Sequence, residues 1–281
     1  MALLKSYAKI NLSLSVKRKL INGLHDIESI FCQIDLFDKI RIKKLIYGKA
    51  DKVSFKGPFS ANIKNSNNSI KKLLILMRKN KLISNFYSVQ VFKNIPVFAG
   101  LGGGTSNAAT ILKFLYKEKI IEKKLLKKMV NCVGSDLRLF FQKQGYLKNI
   151  NSVDKLSKEH KLYFVVAYPN IRCSTKEVYS RVNKFSSKKF FSQKELKNKN
   201  KFIEKISKKG NDLQLIVEKK YPVVTGLLHN IRVKRGCYLS KMTGSGSACY
   251  GLFKNENCSK AALKSLRKIY PKFWFSIAKT I

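Results

Sequence analysis

The run Pro96-Val97-Phe98-Ala99-Gly100-Leu101-Gly102-Gly103-Gly104-Thr105-Ser106-Asn107-Ala108-Ala109 decides the reading of this chain. Ahead of it, Phe86 to Phe92 alternates in the manner of a strand. Behind it, Ala108, Ala109, Leu112 and Leu115 fall on one face of a helix. The glycines therefore occupy a turn that opens a helix. Glycine permits positive φ and lets a ligand approach the main chain. A helix start carries unpaired N–H groups and partial positive charge. Together these features make a cradle for phosphate.

Other glycine-rich phosphate loops do not fit. A P-loop needs Lys and Ser or Thr after its last glycine; here Thr105 follows Gly104 directly and the next lysine is Lys113. A dinucleotide fingerprint starting at Gly100 needs a glycine where Thr105 stands. The catalytic-loop and magnesium-binding motifs of protein kinases are missing. A plain flexible turn is the remaining alternative, and other segments of the chain bear on it.

With 281 residues the chain can bury a sizeable core, as two domains or one bilobed unit. No run of about 18 apolar residues is present, which argues against a membrane span. The N-terminus, MALLKSYAKI, lacks the long apolar core of a signal peptide, so a cytoplasmic protein is expected. The net charge is +42. Its lysines are spread along the whole chain, and no nucleic-acid-binding motif accompanies them. The charge reads as a solvated lysine-rich surface that can draw in polyanionic substrates. The six cysteines contain no Cys-x-x-Cys pair, and the three histidines are far apart, so no metal site is expected from them.

Tyr7 to Val16 alternates, with Ile10, Leu12, Leu14 and Val16 on one face and Lys9 and Asn11 on the other. Asn22-Gly23 signals a tight turn. Strands are predicted at 29–35, 39–45, 162–168, 248–253 and 274–278, and a lead-in at 238–242. Residues 62–68 read as a loop. Helices are predicted at 69–80, 123–132 and 259–267. Residues 154–160 read as a linker, and 184–210 as a surface excursion rich in Lys, Ser and Asn. Without regular βαβ spacing the class is α+β.

Two further segments, Tyr7-Ala-Lys-Ile-Asn-Leu-Ser-Leu-Ser-Val16 and Met242-Thr-Gly-Ser-Gly-Ser-Ala248, flank the glycine run in order. The three together resemble the ordered motifs of the GHMP small-molecule kinases, over most of the chain from Tyr7 to Phe253. The resemblance implies a two-lobed architecture. Residues 1–153 would form the ATP-binding lobe, and residues 154–281 the substrate-side lobe with a ferredoxin-like core. Gly23-Leu24-His25 points further, to the branch whose members phosphorylate the 2-hydroxyl of a cytidine-diphosphate-linked methylerythritol in isoprenoid synthesis. The competing readings are a GHMP kinase for mevalonate, homoserine or a sugar, and a basic nucleic-acid-binding protein.

The resemblance also implies a site. Lys9 and Asp136 would be the catalytic pair, with Asp136 as base; a helix cap is the alternative for Asp136. ATP would lie on Pro96, Gly100, Leu101, Gly102, Gly103, Gly104, Thr105 and Ser106, with Asn68 and Lys93 lining the adenine pocket. Mg²⁺ would arrive with ATP near Thr105 or Ser106, whose hydroxyls could equally be helix caps. Asn11, His25, Tyr179, Thr243, Gly244 and Ser245 would contact the substrate; an ordinary core tyrosine is the alternative for Tyr179. The chain departs from the family pattern at Leu24, Phe98 and Arg138, where an aromatic residue, Gly and Pro are usual.

Overall fold

The computed structural model describes residues 1–61, 63–122, 129, 136–187 and 195–281. The chain packs as two compact units. One comprises Met1–Ala8, Leu36–Val97 and Gly102–Phe141; the other comprises Lys9–Asp35, Phe98–Leu101 and Gln142–Ile281. These units do not follow a single cut at residue 153. The reason is the 21-residue strand β3 (His25–Leu45), which begins in one unit and ends in the other. The sequence predicts two strands here, but no Gly or Pro separates them and the backbone stays extended throughout. Its first half is buried continuously from Ile27 to Ile34, as in a strand covered on both faces. Its second half alternates: Ile40 and Ile42 are buried between exposed Lys39, Arg41 and Lys43.

In the first unit the second half of β3 pairs antiparallel with β5 (Phe86–Phe92), Lys39 opposite Phe92. β4 (Lys52–Lys56) runs parallel to β5. A parallel pair requires a crossover, and helix α1 (Ser69–Lys79) provides it. Asn68 starts α1 by accepting from the Ile70 and Lys71 amides. Ile70, Leu73, Leu74 and Met77 are its buried stripe. Each such side chain contributes about 2 kcal/mol by leaving water. They pack with Val89, Val91, Ile40 and the Ala108, Ala109, Ile111, Leu112 and Leu115 face of α2 (Gly103–Lys117).

In the second unit β1 (Ala2–Asn11) delivers its last residues, and β2 (Ser15–Lys19) forms a hairpin with β3, Lys19 opposite His25. The strand expected over 7–16 is thus interrupted. The amides of Leu12 and Ser13 both donate to the Ile30 carbonyl, and Leu14 donates to Gly210, so the chain leaves the ladder there. β6 (Gln144–Asn149) pairs with β3 and with β7 (Ser152–Lys155). The expected linker at 154–160 therefore begins as strand and ends at a buried His160, tied to Gln144 by reciprocal hydrogen bonds.

A four-stranded antiparallel sheet completes this unit, in the order β11 (Trp274–Lys279), β8 (Tyr163–Tyr168), β10 (Cys249–Phe253), β9 (Cys237–Met242). Helices α6 (Pro222–Arg232) and α7 (Glu256–Ile269) follow β8 and β10 and pack on the sheet. This βαββαβ order is the ferredoxin-like core. Shorter helices α3 (Thr175–Ser180), α4 (Lys199–Lys208) and α5 (Gln214–Lys220) lie between β8 and α6. α4 corrects the surface excursion expected over 184–210: Asn198 caps it, and Phe202 and Ile206, four apart, are buried. The helix expected at 123–132 falls, apart from residue 129, outside the described residues, as do Gly134 and Ser135.

Candidate functional site

The glycine run contributes to each unit. On the second, Gly100 has φ of +74°, and a Cβ placed on it would sit 2.1 Å from the Thr243 carbonyl oxygen. Only glycine tolerates that approach. Its own carbonyl accepts from the Lys9 ammonium at 2.9 Å. Lys9 is 3% exposed, and its Nζ also donates to Asn11 Oδ1. Asn11 is held in turn: its backbone amide donates to Thr243 Oγ1 at 3.0 Å, and its side-chain amide to Ser29 Oγ at 2.8 Å. A Cβ on Gly244 would stand 3.1 Å from Lys9 Nζ and 3.4 Å from Asn11 Oδ1. Lys9, Asn11, Gly100, Thr243 and Gly244, drawn from three distant segments, are thus one cluster. Ser245 meets Thr175 hydroxyl to hydroxyl at 2.9 Å. Ala248 donates to the Ala99 carbonyl, locking the third segment to the glycine run.

His25 lies elsewhere on the same unit. The Asn22-Gly23 turn closes the β2–β3 hairpin, Gly23 taking φ of +78°. His25 follows it, with the Tyr179 ring centroid 5.1 Å away and that of Phe185 at 6.5 Å, the two ring planes lying 35° and 29° from that of the imidazole. Burial, then the charge of Lys19, holds the imidazole below its ordinary pKa. At neutral pH the ring is therefore uncharged and offers one donor and one acceptor. Leu24 is exposed and outside this aromatic group. Sequence reasoning does not single out Phe185; its one signal is a lone aromatic within Asn183-Lys-Phe-Ser-Ser187.

On the first unit Gly102, with φ of +71°, precedes α2, and no side chain caps that helix. Ser106 makes the first intrahelical bond, to the Gly102 carbonyl. The amides of Gly103, Gly104 and Thr105 thus begin the helix with no acidic residue in the first turn. A Cβ on Gly104 would lie 3.3 Å from Ser69 Oγ, so the start of α1, where Asn68 caps, adjoins the start of α2. Pro96 is buried within the run; Leu101, also buried, belongs to the second unit.

Two side chains expected at ATP are turned inward. Ser106 Oγ, 2% exposed, donates to the Tyr7 carbonyl at 2.6 Å and accepts from Ser6 at 2.8 Å. Lys93, 1% exposed, pairs with the buried Asp38 and donates to Asn107 Oδ1 at 3.2 Å. Asp38 also accepts from the amides of Asn94 and Ile95 and from Asn107 Nδ2. Burial pulls the Lys93 ammonium below the ordinary lysine range, against the opposing pull of Asp38. A Cβ on Gly103 would stand 3.2 Å from Lys93 Nζ. Lys93 therefore supports the helix start from beneath. The half-buried Asp136 accepts, through its backbone carbonyl, from the Leu139 amide at the head of a 3-10 turn over Leu137–Phe141. Among the described residues no group of three or more His, Cys, Asp or Glu could hold a metal ion, and no helix is long and apolar enough to cross a membrane.

Family models for the GHMP kinases N terminal domain and the GHMP kinases C terminal match residues 68–137 and 192–272. A 4-diphosphocytidyl-2-C-methyl-D-erythritol kinase from Pelagibacter ubique is 35% identical over 99% of this chain and 98% of its own length. The enzyme of that name from Caldanaerobacter subterraneus is 30% identical, covering 99% and 96%. Among solved structures, a 4-(cytidine 5'-diphospho)-2C-methyl-D-erythritol kinase superposes with a TM-score of 0.75 at 22% identity, over 99% of both chains. Homoserine kinase from Cytophaga hutchinsonii follows the same fold, with a TM-score of 0.71 at 12% identity, over 100% and 95%. The chain belongs to the GHMP kinases, enzymes that use ATP as phosphate donor, and within them to the 4-diphosphocytidyl-2-C-methyl-D-erythritol kinase family.

Proposed function

We propose that this chain transfers the γ-phosphoryl group of ATP to the 2-hydroxyl of 4-diphosphocytidyl-2-C-methyl-D-erythritol, for isoprenoid synthesis by the non-mevalonate route. The observation that carries this reading is the pairing, on one compact unit, of two features. One is the Lys9–Asn11–Gly100–Gly244 cluster; the other is the His25–Tyr179–Phe185 aromatic group. Mevalonate and homoserine, as acceptor substrates, carry no base to stack.

Phosphoryl transfer asks for positioning and for positive charge near the migrating group. In this reading Asp136 accepts the hydroxyl proton, and Lys9, held by Asn11 and Gly100, supplies the charge that offsets the forming alkoxide. Asn11 orients the methylerythritol end. Thr243, Gly244 and Ser245 contact the substrate phosphates. His25 reads the base edge as a neutral imidazole, while Tyr179 and Phe185 pack against its faces. The uncapped α2 start suits the ATP phosphates, with Gly100 to Thr105 as the cradle. Asn68 and Pro96 border it, and Lys93 supports it from below. Mg²⁺ arrives with ATP, and Thr105 is the hydroxyl of the loop better placed to meet it, since Ser106 is engaged with Tyr7 and Ser6. The two family models fall on either side of residue 153. That supports an ATP-binding domain before residue 153 and a substrate-side domain after it in the order of the sequence, although Lys9–Asp35 and Phe98–Leu101 pack with the second unit.

The test is a steady-state comparison, with ATP and Mg²⁺, of the cytidyl substrate, its uridyl analogue, mevalonate and homoserine. The cytidyl compound should exceed each rival in kcat/KM by at least about 10²-fold, the discrimination reached when a polar base edge is left unpaired. Equal use of the uridyl analogue would remove His25 as a base reader. Preference for mevalonate or homoserine would overturn the assignment.

A further inference from the structure

The segment Gly210-Asn211-Asp212 has no part in the site described above, yet it is bonded to both halves of it. Asn211 is 7% exposed. Its side-chain amide donates to the Met242 carbonyl at 2.9 Å and to the Gly244 carbonyl at 2.8 Å, while its Oδ1 accepts from the Leu213 amide. It thus holds both ends of the turn that sets Gly244 beside Lys9 and Asn11. The next side chain faces the hairpin. Asp212 Oδ2 accepts from the Val16 amide at 2.8 Å and from Ser186 Oγ at 2.8 Å. Ser186 closes the triangle by donating its amide to the Val16 carbonyl at 2.8 Å. Phe185, which stands over His25, is its immediate neighbour. The backbone fixes the pair in register: Leu14 donates to Gly210, and Asp212 donates to Leu14.

We propose that Asn211 and Asp212 are positioning residues. Asn211 sets the third glycine turn against Lys9 and Asn11; Asp212, through Ser186, sets Phe185 against His25, so adjacent side chains keep the phosphate end and the base end of the substrate site at a fixed spacing. The proposal rests on reading the His25 group as the base site. Charge-assisted hydrogen bonds to a carboxylate are the stronger class, and a single carboxylate oxygen shared by Val16 and Ser186 explains why a loop segment stays against a strand end. The contact requires an acceptor oxygen at this position, and the charge adds to its strength. Asp212→Asn keeps the acceptor oxygen; Asp212→Ala removes it.

The experiment uses Asp212→Ala, Asp212→Asn, Ser186→Ala and Asn211→Ala in the full chain. Asp212→Ala should raise KM for the cytidyl substrate roughly tenfold, the loss of one good aromatic contact, with KM for ATP within about twofold of wild type. Asp212→Asn should restore most of it. Ser186→Ala removes the hydroxyl bond to Asp212 while the Ser186 amide stays on the Val16 carbonyl, so it should reproduce part of the rise, which keeps the test alive should Asp212→Ala fold poorly. Asn211→Ala should act on kcat instead. A second readout needs no turnover. The NMR ring-proton signals of His25, identified among three histidines by loss in His25→Gln, should move in Ser186→Ala and Asp212→Ala as Phe185 leaves, and stay put in Asp212→Asn. Unmoved His25 signals, or equal rises in both KM values, would overturn the proposal. If wild-type protein fails to bind CDP while the His25 signals respond as stated, the base-site reading falls and the clamp stands.

Discussion

Lys9 is a lysine that the sequence places on the polar face of a strand, and that face turns out to be buried. Period-two alternation tells which residues share a face; it does not tell what covers the face. The cover comes from Gly100 and Gly244, more than 90 and 230 residues away in the sequence. Lys9→Met and Asp136→Asn should each lower kcat by roughly 10²-fold with little change in either KM. If the proposed roles hold, the combined variant should lose little more than one alone. A double variant whose losses multiply in full would separate their roles. Gly100 is legible as a glycine of the phosphate loop, but its structural constraint is contact with Thr243. Gly100→Ala forces a Cβ into that carbonyl at positive φ. It should cost about 2 kcal/mol or more in urea unfolding. A neutral result would mean that the third segment yields readily.

Helix α2 shows what an element adds. Its glycine-rich start is readable in the sequence; the polar support beneath it is not, because Ser6, Asp38, Lys93 and Asn107 come from four separate segments. Removing one partner of a buried ion pair strands the other. Lys93→Met should therefore destabilise the fold by about 3 kcal/mol. If Lys93 served only as an adenine contact, stability would hold and KM for ATP alone would rise. Helix α4 escapes sequence reading because four lysines crowd its ten residues and hide the Phe202, Ile206 pair. Its C-terminal end is held by Lys241, whose ammonium donates to the Ile206 and Lys209 carbonyls and, at 3.4 Å, to that of Leu12. Burial lowers the Lys241 pKa to about 8. Between about pH 8 and the ordinary lysine range near 10.4, the unfolded chain holds a proton on this amine that the folded chain has released. This group's contribution to stability therefore rises with pH across that window. Subtracting the stability-versus-pH curve of Lys241→Met from that of wild type should isolate a positive slope there. A flat difference would show that the three carbonyl contacts keep the amine protonated.

At the scale of the whole molecule, the class and the three motifs are legible because each is written locally, in glycine spacing and strand periodicity; the ferredoxin-like core enters only through the family resemblance that the motifs carry. The division of the chain's segments between the two units is not legible. It depends on β3 running unbroken through Leu36, Phe37 and Asp38, where Asp38 is drawn inward by the Asn94 and Ile95 amides. The +42 charge also acts at this scale. A cationic surface accelerates encounter with anionic ATP and substrate, so kcat/KM should fall as salt rises while kcat holds. The central claim is chemical, and ³¹P NMR of the reaction mixture tests it most directly. With the cytidyl methylerythritol substrate, ATP and Mg²⁺, the account predicts loss of the ATP γ-phosphate signal and growth of a phosphomonoester signal on the methylerythritol 2-position. Under Asp136→Asn that signal should grow roughly 10²-fold more slowly. Release of inorganic phosphate with the substrate unchanged, or a phosphomonoester formed only when mevalonate or homoserine replaces it, would contradict the account.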